Sequence, residues 1–299
     1  MLGANLGLFA TIIAWGSTAP VINELLKQTD PMVLTATRSI LTSLVFFIWL
    51  QVAEGKTARY LEIPWRPVLI LGGILATFTI LFTYAIKFSN PINVSIIVAA
   101  GPVSASLVDY VLTGRKPSKA IYLALPLAVL GGIIASVDLR ALMNGESAMR
   151  FEGGEIFMVI GVFLWSLYSA LLQRWFEGVS LLRRTALTFY SATPIYLVIA
   201  AVLLFSGIES LPAGNFDNKY LMFFVWSSLA TSILGTYLWH IGVRKLGIIV
   251  ATMFLNLIPV VAILVSIAFG IEPRIEQLLG GVLVVIAVVQ VQIRSMVVK

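Results

Sequence analysis

The stretch Lys87–Pro102, KFSNPINVSIIVAAGP, has a counterpart later in the chain at Arg244–Pro259, RKLGIIVATMFLNLIP. In each copy a basic residue stands fifteen positions before a proline, and the copies lie 157 residues apart. Each opens on a helix break, Asn90-Pro91 in the first and Gly247 in the second. The run that follows carries Asn93, Ser95, Ala99 and Ala100 against Val250, Thr252, Asn256 and Leu257. A helix with small residues on one face, an amide and an internal proline is poor material for facing lipid. It suits the lining of a cavity inside a helical bundle.

The surrounding composition is that of a membrane protein. Of the 299 residues, 59% are hydrophobic and 11% charged, where globular domains run near a quarter charged. Mean hydropathy is +0.99. Apolar runs of about 20 residues, enough to cross a ~30 Å hydrocarbon core, recur ten times, at roughly 2–25, 31–53, 66–88, 91–113, 117–138, 155–176, 184–207, 218–243, 247–270 and 274–297. The expected fold class is an all-α membrane protein with ten transmembrane helices. The longest polar connection, Asp138 to Glu152, leaves no room for a soluble domain. The first apolar run has no basic segment ahead of it, so it reads as a retained helix rather than a cleaved signal. There is no cysteine, hence no disulfide or thiolate chemistry.

Charge placement sets the expected orientation. With the N-terminus cytoplasmic, inner loops and the C-terminus collect 13 of the 20 basic residues, among them Lys56, Arg59, Arg66, Arg115, Lys116, Arg174, Arg183, Arg184 and Arg244. Short loops rich in Lys and Arg stay inside. The outer loops then receive the acidic Glu24, Asp30, Asp138, Glu209, Asp217, Glu272 and Glu276. Both termini are expected in the cytoplasm of a bacterial-type inner membrane. The net charge of +6 follows from this topology and is no argument for nucleic acid.

Two similar halves of five helices carry a geometric consequence: an odd number of crossings turns the second half upside down. The corner after the first paired proline reads Gly114-Arg115-Lys116-Pro117, and its counterpart reads Gly270-Ile271-Glu272-Pro273. The same corner is basic where it is placed inside and acidic where it is placed outside. The expected organisation is an inverted pair, 1–138 and 153–299, joined by an outer loop at 139–152.

These residues resemble a known family. Two five-helix halves, Trp15-Gly16-Ser17 in the first helix, Arg38 in the second, and Pro102-Val103 matched by Pro259-Val260 look like the EamA-type members of the drug/metabolite transporter superfamily. The tail Gly270-Ile271-Glu272 with Gly280-Gly281 is similar too. The chain departs from the pattern at Arg115, where an acidic residue is usual, and at Pro126, where glycine is common. The resemblance implies a carrier of small solutes, closest in type to amino acid and metabolite exporters such as the aromatic amino acid exporter (YddG) type. It also implies a cavity between helices 1, 3, 4, 6, 8 and 9, with helices 5 and 10 as buttresses.

Candidate site residues follow. Trp15 and Trp165 sit mid-helix at an offset of 150, either as packing knobs or as walls of one pocket; Tyr168, one turn on, favours the pocket. Ser17, the stripe Phe78 and Phe82, Tyr237, and the amides Asn93 and Asn256 complete the polar-aromatic set. Arg38 lies about 10 Å below the outer surface at 1.5 Å per residue. It either snorkels to Asp30 or Glu24 or meets a substrate carboxylate. Trp49, Trp65, Trp175, Trp239 and His240 read as interfacial residues, and Asp109 as a partner of Arg115 and Lys116. No Asp or Glu falls mid-span, which disfavours antiport of cationic drugs. Neither a phosphate loop, a metal cluster nor a nucleophile–base pair is present, so no enzyme, cofactor or metal is expected. The expected activity is export of amino acids, aromatic ones included, or similar metabolites by a monomer in the bilayer. The alternatives are uptake or antiport of a vitamin, sugar derivative or nucleotide-like compound, and a proton-coupled drug exporter.

Overall fold

The computed structural model describes residues 2–55, 64–114, 116–117, 119–144, 153–212, 214, 216–246 and 254–297, and among them it is helical throughout. The helices are α1 (Leu2–Leu25), α2 (Pro31–Glu54), α3 (Trp65–Lys87), α4 (Pro91–Ala99), α5 (Gly101–Thr113), α6 (Lys119–Ser136) and the short α7 (Leu139–Met143). The second half holds α8 (Gly154–Trp175), α9 (Leu181–Phe205), α10 (Asn218–Val225), a wide-turned π segment (Trp226–Gly235), α11 (Thr236–Leu246), α12 (Ile258–Ala268) and α13 (Ile275–Val297). Among the described residues, six spans are long and apolar enough to cross a membrane, namely α1, α2, α3, α8, α9 and the run Asn218–Leu246 formed by α10, the π segment and α11, and a seventh comes from α4 and α5 taken together. The other apolar stretches, 121–136, 258–268 and 275–290, are shorter.

The run 91–113, expected as one helix, is broken: α5 leaves α4 at 48°. Pro102 lacks an N–H and its ring crowds the carbonyl four residues back. Ala100 therefore closes α4 with a tight bond to the Ile97 carbonyl, and α5 restarts at Gly101. The other end of α4 is set by Asn90, whose side chain accepts from the Ile92 N–H at 2.8 Å, with Pro91 at the first helical position. The matching break at Gly247 lies outside the described residues, as does Arg115, one of the two expected partners of exposed Asp109.

The connections sort into two ends. At one, Asp30 accepts from Ser210, Gly154 N–H meets the Phe88 carbonyl, and Arg274 reaches Asp138 at 3.5 Å. At the other, Glu54 pairs with Arg183 at 2.6 Å, and Arg174 donates to the Leu112 carbonyl. Helices α2 and α9 thus run antiparallel, the end of each beside the start of the other. Helices α6 and α13 do the same. At their crossing, a Cβ on Gly280 would stand 2.3 Å from the Gly131 carbonyl oxygen and one on Gly131 2.7 Å from that of Gly280. Only glycine permits that approach.

Equivalent residues of the two halves touch each other. Ser43 bonds Thr193 at 2.9 Å, 150 residues on, and Trp15 meets Trp165 edge-on at 5.9 Å, again 150 residues on. A residue can meet its own counterpart only near a two-fold axis, so these two pairs lie close to one. Apolar side chains such as Phe9, Ile48, Val202 and Val282 are about half exposed around the rim, as hydrocarbon contact requires.

Candidate functional site

Helices α1, α2, α3, α8 and α9, with the α4–α5 bend, the π segment and α11–α12, enclose a cavity of about 200 Å³. Trp15, Phe78, Phe82, Trp165, Phe189 and Tyr196 line it with aromatic surface. Thr18, Thr35, Ser39, Thr42, Thr79, Ser95, Thr231, Ser232 and Thr236 add hydroxyls. Arg38 is the one charged residue among its described lining. The expected set of lining helices needs correction, since α2 and α9 contribute as well. They pack on each other through Ser43 and Thr193 and so close one face of the cavity.

The π segment organises the wall. Its wide turns loosen the regular backbone ladder, and four side chains from the first half donate to its carbonyls. Thr11 reaches Gly235 O at 3.1 Å, Trp15 Nε1 reaches Thr231 O at 3.0 Å, and Thr42 reaches Ser228 O at 3.0 Å. Arg38 Nη2 reaches Ser227 O at 2.6 Å. Trp15 is thereby held with its ring edge-on to Trp165, which in turn lies 5.1 Å from Phe78. The indole carries both roles the sequence left open: it packs, and it walls the cavity.

Arg38 is only 8% exposed, and its Nε has no partner among the described residues. The expectation that it snorkels outward is not met. Asp30 is taken by Ser210 and Glu24 by Lys27 and Lys219, while Arg38 turns inward to the Ser227 carbonyl. A guanidinium fixed by one backbone bond still presents donors to a planar acceptor such as a carboxylate.

Of the predicted site residues, Trp15, Arg38, Phe78, Phe82 and Trp165 come together around the cavity. Ser17, Asn93, Tyr168, Tyr237 and Asn256 are not among its lining. Ser17 donates to Ala14 O and accepts from Trp226 Nε1 at 2.9 Å. Tyr168 is buried and bonded to Thr188 at 2.8 Å. Tyr237 packs on Trp49 at 4.6 Å. Asn93 accepts from Gln277 Nε2 at 2.9 Å, and Asn256 is 7% exposed. Trp65 and Trp175 are exposed as belt residues should be. Trp239 and His240 are not: both are 7% exposed. Gly242 sits where a Cβ would meet Leu8 at 2.4 Å, so α11 lies close on α1 and the last turns are covered. The residues missed by sequence reasoning include Phe189, Tyr196 and Thr231 and the α2 set Thr35, Ser39 and Thr42. With Arg38 the three α2 residues recur at i, i+3, i+4 and i+7, the spacing of one helix face, which is a readable signal.

One end of this cavity is tied by buried polar contacts between the halves. Glu209 accepts from the Met32 and Val33 N–H groups at 3.0 and 3.1 Å and from Tyr84 Oη at 2.7 Å. Thr29 and Tyr220 share a bond of 2.6 Å. A carboxylate at the N-terminus of α2 is favoured by the unpaired N–H groups there.

Comparison with known proteins fits this architecture. A protein solved by crystallography superposes with a TM-score of 0.67 over 99% of this chain and 98% of its own, at 18% identity. In Bacillus subtilis, the uncharacterized transporter YyaM is 24% identical across 91% of this chain and 88% of its own length. The uncharacterized transporter YrdR of the same organism is 23% identical across 96% and 90%. An uncharacterized transporter of Archaeoglobus fulgidus is 24% identical across 95% of both chains. The sequence pattern of the EamA-like transporter family matches residues 2–137 and then again 152–292. Matched twice along a helical, multi-pass membrane chain, that pattern makes this protein a member of the EamA-like transporter family.

Proposed function

We propose that the protein is a carrier, not an enzyme, that exports amino acids, aromatic ones included, or similar small carboxylate-bearing metabolites by alternating access. The observation that carries this reading is the cavity itself: aromatic walls, nine serine and threonine hydroxyls and one buried guanidinium, with no carboxylate among the described lining. Arg38 offers a match for a cargo carboxylate. Aromatic faces attract an ammonium without a fixed counter-charge. A phosphorylated cargo would call for a cluster of basic residues, and a dedicated cation carrier for a carboxylate in the cavity.

Ten spans arranged as inverted repeats, 1–138 and 153–299, give the machinery. The antiparallel packing of α2 on α9 and of α6 on α13 supports the inversion, as do the two contacts between equivalent residues, Ser43 with Thr193 and Trp15 with Trp165. Rocking one half against the other about that axis would expose the cavity first to one face and then to the other. The basic residues of the 54–65, 113–119 and 175–184 connections support cytoplasmic termini in an inner (plasma) membrane. Counterflow in proteoliposomes loaded with phenylalanine, other amino acids, nucleotides or sugars tests the cargo. Accumulation of labelled amino acid is expected. Accumulation of only nucleotides or sugars would overturn the cargo class.

A further inference from the structure

A second cavity, about 390 Å³, opens between α4, α5, α6 and α8, and Val162 lines both it and the central one. Its mouth faces lipid: Val129, Ile133, Val159 and Phe163 line it and are between 37% and 52% exposed. The lining is apolar except for Ser104, Ser136 and Glu155. Both hydroxyls are engaged, Ser104 with Ser166 at 2.6 Å and Ser136 with the Gly132 carbonyl at 3.0 Å.

Glu155 is different. It is 6% exposed, and only one of its oxygens is satisfied, Oε1 accepting from the Ser89 hydroxyl and from Asn93 Nδ2 at 3.4 Å. Asn93 is itself anchored to Gln277, so the carboxyl group is held in place from two helices. The other oxygen, Oε2, is buried without a partner among the described residues. A buried carboxylate oxygen lacking a donor is costly unless a partner arrives. Volume, lipid exposure and that one acceptor together describe a site for a molecule with a single cationic N–H head and an apolar body.

We infer that this cleft binds a free amphiphilic amine entering sideways from the bilayer, its ammonium donating to Glu155 Oε2 and its hydrocarbon lying along α6 and α8. The site is distinct from the central cavity, and it stands or falls whatever the exported cargo is.

Photolabelling tests it. The protein in phosphatidylcholine nanodiscs is labelled with dodecylamine carrying a mid-chain diazirine, and the adducts are mapped by mass spectrometry. Adducts are expected within 125–133 and 156–163, displaced by plain dodecylamine at least tenfold more effectively than by dodecanol. Glu155→Gln, whose amide oxygen still accepts from Ser89 and Asn93, should abolish that preference. Val159→Trp, which fills the cleft and keeps the acid, should remove the adducts altogether. Equal displacement by dodecanol, or a preference that survives Glu155→Gln, would overturn the proposal. So would adducts spread evenly around the rim, or displacement by phosphatidylethanolamine as effective as by dodecylamine, which would make the occupant a resident lipid.

Discussion

Replacing Arg38 by Gln separates the two roles that the guanidinium can have. Gln stays polar but ends where Arg has Nε, so it removes the charge, the planar fork and the 2.6 Å bond to the Ser227 carbonyl together, and a pair of ligands with and without a carboxylate then tells the cargo contact from the structural one. Hydrogen bonds to a charged group contribute about 1.5–3 kcal/mol. At 8% exposure, Arg38 is little screened by solvent ions. Since ~1.4 kcal/mol is a factor of ten in affinity, phenylalanine should bind the variant about 10- to 150-fold more weakly. Phenylalaninamide, which lacks the carboxylate, should change by less than about threefold on the same basis. Binding to detergent-purified protein by isothermal titration gives both numbers, and a thermal melt confirms that the variant is folded. Equal weakening of both compounds, or of neither, would refute the carboxylate contact.

Other perturbations probe the frame. Gly280→Leu places a Cβ against the Gly131 carbonyl, a backbone atom that cannot swing aside, so a loss of about 1–3 kcal/mol and a lower melting temperature are expected; an unchanged melt would contradict the close crossing. Trp15→Phe keeps the ring but leaves Thr231 O without its indole donor. That should destabilise by about 1 kcal/mol and weaken cargo binding several-fold, as read by melt and titration. Glu209→Gln removes the charge that holds the start of α2 and the Tyr84 hydroxyl. The tied end should then open more often, and a cysteine at Thr35 should react faster with a maleimide added from that side, whereas an unchanged rate would deny the tie a gating role.

Much of this arrangement could be read from particular residues. Asn90-Pro91 announced the start of α4, whereas Pro102 was read as internal to one helix and instead ends it; Trp15, Trp165 and Arg38 were recognisable as out of place on lipid-facing helices. The α2 stripe Thr35, Arg38, Ser39 and Thr42 was equally available to periodicity. The π segment was not. Nothing local in WSSLATSILG asks for wide turns; its carbonyls are used by Thr11, Trp15, Arg38 and Thr42, which lie about 185 to 225 residues earlier in the chain. The burial of Trp239 and His240 depends on how closely α11 lies on α1, which Gly242 decides through Leu8. Tyr168 and Asn93 are placed by their partners Thr188 and Gln277, so their distance from the cavity lining could not be read from helix position alone.

The absence of native cysteine makes the decisive measurement simple. A single Thr79→Cys substitution puts one thiol on the cavity wall, and a membrane-impermeant maleimide is applied to right-side-out and to inside-out vesicles. Labelling from both faces is predicted, with the ratio of the two rates shifted by cargo. Labelling from one face only, regardless of cargo, or only by a lipid-soluble reagent, would contradict a central cavity exposed alternately to the two sides.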